Sequence, residues 1–141
     1  MTIPSRISLV TLGVSDLARS RAFYDALGWE RVGDDEGVAF YRTAGAVLAL
    51  YPLSALADDA RISPDRSGFS GTSLAINLGS ELEVDAALTH AASIGATILK
   101  PAERVFWGGY SGYFADPDGY AWEVAYNPHW QLDERGLPQL P

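Results

Sequence analysis

Two stretches of the chain carry side chains with chemistry to offer. Residues 112–123, GYFADPDGYAWE, place one carboxylate, Glu123, between Trp122 and Val124 in an apolar run that follows an Asp-Pro-Asp-Gly turn. A carboxylate in mid-strand either edges a solvated face or points into a cavity. In a cavity it serves as a hydrogen-bond acceptor or, where apolar surroundings raise its pKa, as a general base. The bland alternative is an idle carboxylate tied to Ser73, Asn77 or a backbone N–H. The second stretch, VFWGGYSG at 105–112, interleaves Phe106, Trp107 and Tyr110 with glycines. Aromatics on hinged backbone can wall a site for a planar apolar ligand. Equally, such a stretch can be a core-edge loop whose glycines permit tight turns. Asp16 reads as a helix cap, and Asp116 and Asp118 as turn formers. Arg42 and Lys100 fall near strand ends, where they meet either an anionic ligand or solvent.

Composition narrows the chemistry. The 141 residues are 48% apolar, enough for one compact domain or two small modules. There is no cysteine, so disulfides, thiolate metal sites and cysteine nucleophiles are excluded. A cysteine-free chain fits the cytoplasm. No apolar stretch reaches the roughly 20 residues of a membrane span, and the N-terminus reads as a first strand rather than a signal peptide. The formal charge is −8, which argues against nucleic acid and against an anionic membrane as partners.

The elements that must position these residues follow from periodicity and punctuation. Ile7–Val14 is an expected strand, and Ser15 or Asp16 caps a helix that runs to Leu27 and stops at Gly28. Trp29–Val32, Val38–Arg42 and Val47–Tyr51 are expected strands, separated by turn-like stretches. Residues 53–72 read as a connecting or binding loop with a short helical turn at Leu53–Asp59. The order then repeats: strand Ser73–Leu78, helix Glu81–Ile94 ended by Gly95, and strands Thr97–Leu99, Gly112–Ala115 and Ala121–Tyr126. Residues 127–141, with Pro128, Gly136, Pro138 and Pro141, are expected to be irregular. The fold class is thus α+β, as two tandem βαβββ modules (about 6–52 and 73–126) within one domain of 1–141.

This order, with VTLGVSDLARSRAFYDALGWE at 10–30 and GYFADPDGYAWEVAYNP at 112–128, resembles the vicinal oxygen chelate superfamily: glyoxalase I, bleomycin-resistance proteins and extradiol dioxygenases. The resemblance covers about 6–128. It implies a curved mixed sheet around a concave pocket, and in the metal-dependent members four strand positions that ligate a divalent ion. Carried over, those positions are Leu9, Ala49, Ser73 and Glu123. Leu and Ala offer no donor atom and Ser is a poor ligand for transition metals, so no metal and no cofactor are expected. His90 falls on the second predicted helix, on the far side of the sheet, and His129 in the tail.

With those four positions facing inward, strand alternation turns Thr11, Val47, Tyr51, Ala75, Asn77, Ala121 and Ala125 the same way. The opposite set (Val10, Leu12, Val14, Leu48, Leu50, Leu74, Ile76, Leu78, Trp122 and Val124) is almost wholly large and apolar, as a helix-packed face should be. If Ala115 pairs with Tyr120 across the turn, Gly112 and Phe114 face inward and Tyr113 outward, a register that one residue of slip reverses. The expected ligand-binding set is Leu9, Thr11, Ala49, Tyr51, Ser73, Asn77, Trp107, Tyr110, Phe114 and Glu123.

Three functions fit. The first is a metal-independent binder that sequesters a small apolar or aromatic drug or metabolite. The second is a glyoxalase-like isomerase or lyase with Glu123 as base or residual metal ligand. The third is a subunit with a vestigial cavity. The resemblance also implies a homodimer.

Overall fold

A computed structural model describes residues 2–3 and 5–140. The chain divides into two compact units, Met1–Asp65 and Arg66–Pro141. Each holds its own four-stranded mixed sheet, so the α+β class and the repeated module both stand.

In the first unit, β1 (Leu9–Val14) leads into α1 (Leu17–Leu27), followed by β2 (Glu30–Val32), β3 (Ala39–Arg42), β4 (Val47–Pro52) and α2 (Leu53–Ala60). The sheet order is β1-β4-β3-β2, with β1 and β4 parallel and the other pairs antiparallel. Asp16 caps α1 by accepting from the Arg19 N–H (3.1 Å), and Gly28 ends it at φ +100, a left-handed conformation that suits glycine. The core lies between α1 and the sheet. There Leu12, Val14, Leu48 and Leu50 are buried with Phe23, Tyr24 and Tyr41. The helix expected at Leu53–Asp59 is present, and Gly13 lets it close in. A Cβ there would lie 2.7 Å from Leu53 Cδ1.

In the second unit, β5 (Ser73–Asn77), α3 (Glu81–Ser93), β6 (Thr97–Arg104), β7 (Tyr110–Ala115) and β8 (Ala121–Tyr126) build a sheet ordered β5-β8-β7-β6. Ser80 caps α3 with Glu83 as its partner. The Ser80 Oγ accepts from the Glu83 N–H (3.2 Å) and donates to its carboxylate (3.1 Å). Val84, Leu88 and Ala91 of α3 and Phe114, Trp122 and Val124 of the sheet make the core, with the Phe114 and Trp122 rings stacked at 6.2 Å. No helix is long and apolar enough to cross a membrane among the described residues.

Three sequence expectations are corrected. The β6 strand runs to Arg104 rather than Leu99, because two bulges carry it past Pro101. The tail is not irregular: β9 (Gln131–Leu132) and β10 (Pro138–Gln139) pair as a hairpin. Finally, Ala115 faces Ala121, not Tyr120. The turn closes one residue further out. The Asp116 N–H donates to the Tyr120 carbonyl (3.0 Å), and Asp116 Oδ1 accepts from the Asp118 and Tyr120 N–H groups (3.0 and 2.9 Å). Gly119 sits left-handed at φ +84. This three-residue loop sets the hairpin register and so decides which residues share a face with Glu123.

Candidate functional site

That register places Tyr113 directly opposite Glu123 and Gly112 opposite Val124. Phe114, expected on the Glu123 face, lies on the helix-packed face and is 2% exposed. Tyr110 shares that opposite face. Its hydroxyl donates to Asp85 Oδ1 on α3 at 2.6 Å, which raises the phenol pKa. Neither residue reaches the cleft beside Glu123.

This cleft, of about 310 Å³, is lined by Lys100, Glu103, Arg104, Val105 and Phe106, and by Trp107, Ser111, Tyr113 and Glu123. The bulges in β6 build one wall. Ile98 pairs with Phe114, yet Lys100 pairs with Tyr113 and Glu103 with Ser111. Each extra residue re-aims the side chains that follow, so Lys100 and Glu103 line the cleft with Tyr113 and Glu123. Gly112 accommodates the kink. A Cβ there would stand 2.8 Å from the Lys100 carbonyl oxygen and 2.9 Å from the Ala102 nitrogen.

The aromatic wall comes from the β6–β7 turn. The Val105 N–H donates to the Gly109 carbonyl (2.9 Å), the Gly108 N–H donates to the Val105 carbonyl (3.0 Å), and Gly108 is left-handed at φ +92. This repeats the geometry at 116–120, with Phe106 and Trp107 at the tip. The Trp107 ring lies over Gly109, where a Cβ would overlap Cζ3 and Cη2. Phe106 is fully exposed at the rim. The tail folds onto this turn, with His129 Nε2 3.1 Å from the position of a Gly108 Cβ.

The charges in the cleft are unevenly committed. Lys100 Nζ pairs with Glu103 Oε1 at 3.1 Å, and Arg104 Nε with Glu81 Oε1 at 3.2 Å. Glu123 is half-buried and makes no hydrogen bond or ion pair with any described residue. The Tyr113 hydroxyl and the Trp107 indole N–H are likewise without a partner among the described residues. The alternative in which Glu123 is tied to Ser73 or Asn77 is therefore not realised. Ser73 is exposed on β5, two residues before Ala75, which pairs with Glu123. Asn77 ends that strand and does not line the cleft.

In the first unit, Leu9, Thr11, Ala49 and Tyr51 share one face, as alternation requires, since Thr11 pairs with Ala49. Leu9 joins Val32, Phe40, Tyr41, Arg42 and Val47 around a second, mostly apolar cleft of about 310 Å³. Ala49, 2% exposed, is covered. Arg42 pairs with Glu30 at 3.4 Å.

Of the positions carried over from the resemblance, Leu9 and Ala49 in the first unit offer no donor atom, and Ser73 and Glu123 in the second offer one hydroxyl and one carboxylate, side chains that do not by themselves fit a tightly bound divalent ion. No grouping of three His, Asp or Glu side chains suited to a metal exists among the described residues.

A family model described as the Glyoxalase/Bleomycin resistance protein/Dioxygenase superfamily matches residues 6–124. The chain belongs to that superfamily. A glyoxalase-related enzyme from Fulvimarina pelagi is 33% identical with a TM-score of 0.89, the match covering 97% of this chain and 99% of that one. A lactoylglutathione lyase from Agrobacterium tumefaciens is 26% identical at TM-score 0.68, covering 89% and 96%. A glyoxalase/bleomycin resistance protein/dioxygenase from Nocardioides shares the fold at 24% identity and TM-score 0.74, covering 100% and 93%. No curated protein matches.

Of the expected ligand-binding set, Glu123 and Trp107 line this cleft; Lys100, Glu103, Ser111 and Tyr113, which also line it, were outside that set. The available signal was Pro101 between Lys100 and Glu103: proline cannot donate to a sheet ladder and marks a bulge or an edge.

Proposed function

We propose that this superfamily member binds a small organic molecule in the cleft between Trp107 and Glu123, without a metal at the inherited positions. One observation carries the reading. Glu123 presents a half-buried carboxylate to the cleft, and no described residue occupies it. Buried polar groups in folded proteins are generally paired, so an unpaired acceptor in a concave site is available to a ligand donor. The volume stands at the lower end of the about 300–1,000 Å³ of ordinary ligand sites, which fits a compact ligand. Trp107 supplies a flat apolar surface, and the Tyr113 hydroxyl adds a second polar contact.

Sequestration needs only this binding. The expected result is stoichiometric quenching of tryptophan fluorescence by a planar ligand in protein that carries no divalent metal by elemental analysis. A stoichiometric tightly held transition metal would overturn the reading. The second reading, an isomerase or lyase with Glu123 as base, draws on the lactoylglutathione lyase relative and on the same unpartnered carboxylate. Turnover that Glu123→Gln abolishes while binding persists would select it. The homodimer follows by analogy with the superfamily, and sedimentation at micromolar concentration tests it.

A further inference from the structure

We infer that the Trp107–Glu123 cleft is selective for an organic cation carried on a flat aromatic body; this rests on the binding reading above and specifies its ligand class. The cleft has two cations and two carboxylates in its lining, yet they are not equivalent. Lys100 is neutralised by Glu103 within the cleft, and Arg104 by Glu81 from α3. Among the described residues Glu123 has no counter-charge, so the charge left over in the lining is negative. The chain adds to it with a formal net charge of −8, which concentrates cations at the surface.

The aromatic residues point the same way. Trp107, Phe106 and Tyr113 line the same cleft as Glu103 and Glu123, with Tyr113 the cross-strand neighbour of Glu123. The face of an aromatic ring is electron-rich and attracts a cation within about 6 Å of its centre, tryptophan most strongly. A flat cation can therefore lie on the indole while its charge faces Glu123. A neutral molecule of the same shape keeps the stacking and loses the Coulomb attraction. An anion keeps the flat ring but is repelled by Glu123 unless it displaces Glu103 from Lys100. That pair is exposed and individually weak, so the anionic probe is the discriminating arm.

The test titrates the full chain at pH 8 with N-methylquinolinium, quinoline and quinoline-4-carboxylate, three probes of one ring system with charges of +1, 0 and −1. Tryptophan quenching and calorimetry are the readouts. The expected order is cation over neutral by about 10-fold, the worth of one charge-assisted contact partly open to solvent, with the anion weakest. Glu123→Gln should bring the cation down to the neutral probe's affinity, and raising salt from about 0.05 to 0.5 M should weaken the cation alone. Circular dichroism checks that the variant folds. Should it not, the salt dependence on native protein carries the same question. If quinoline binds as well as the cation, or the carboxylate binds best, the cation inference is overturned and the binding reading survives. If none of the three binds, both fall.

Discussion

Gly109→Ala separates the role of Trp107 from the stability of the fold. The glycine is buried beneath the indole, and an added Cβ would overlap two of its ring carbons. Gly109 is not left-handed, so alanine suits the backbone and gains about 0.4–1 kcal/mol by restricting the unfolded chain. Overpacking costs about 1–3 kcal/mol where neighbours are fixed, but here the obstacle is the far end of a partly exposed side chain on a turn, which can swing away. The two effects partly offset, leaving a net loss of about 1 kcal/mol and a Tm lower by about 2–4 °C. Binding should suffer more. With the indole expelled, a cationic ligand loses about 1–2 kcal/mol of ring attraction, or about 5- to 30-fold in affinity. The assay is tryptophan emission plus N-methylquinolinium titration, with Trp107→Phe as comparator to isolate the signal of that indole. A red-shifted Trp107 and weakened binding, with the fold intact, are expected. An unchanged spectrum with unchanged affinity would refute the placement of Trp107 over Gly109 as the ligand wall.

Gly112→Ala should be costlier, because its Cβ would meet two backbone atoms of β6 as well as Leu88 Cδ1 at 2.6 Å; a loss of about 2–3 kcal/mol, or about 5–10 °C in Tm, is expected by calorimetry. Tyr41 is buried, and burial first, then its hydrogen bond to Asp25 Oδ1 (2.8 Å), push its pKa well above the usual tyrosine value of 10.0. Its contribution to stability is therefore full below pH 10 and fades as pH rises through the folded-state value; Tyr41→Phe should cost about 1 kcal/mol at pH 7 and flatten the alkaline loss in denaturant titrations. Asp133 has its pKa lowered, chiefly by accepting the Leu137 N–H (2.9 Å) and also that of Arg135 (2.8 Å). Its hold on the β9–β10 turn is present above the ordinary carboxylate range and lost as pH falls through the depressed value, which faster amide exchange at Leu137 and Arg135 in acid would show.

The elements were legible where punctuation is local. Asp16 and Gly28 bracket α1, Ser80 and Gly95 bracket α3, and large apolar side chains alternate along β4 and β8, so the two βαβββ units read directly from the chain. Non-local or geometric features were harder. The Asp-Pro-Asp-Gly sequence marks the 116–120 turn but not its closing pair, and in a strand of period two the one-residue difference between Tyr120 and Ala121 opposite Ala115 exchanges the faces of Phe114 and Tyr113. The β9–β10 hairpin escaped notice although its turn, Asp133 to Leu137, has the same Asp-x-x-Gly-x form as Asp116 to Tyr120. In both, the first residue's N–H bonds the fifth carbonyl, the aspartate Oδ1 accepts from the third and fifth N–H groups, and the fourth residue is a left-handed glycine. The cleft wall at Lys100 and Glu103 depends on bulges, which shift register without changing hydrophobic pattern and so leave only Pro101 as a trace. The commitment of Lys100 and Arg104 to ion pairs depends on side-chain placement, which spacing alone does not give.

A crystal structure of metal-analysed protein grown with N-methylquinolinium tests the central claim most directly. Flat density stacked on Trp107, its charged end towards Glu123, with no stoichiometric metal, is the predicted result. A divalent ion coordinated by Glu123, or a cleft left empty at saturating probe, would contradict it.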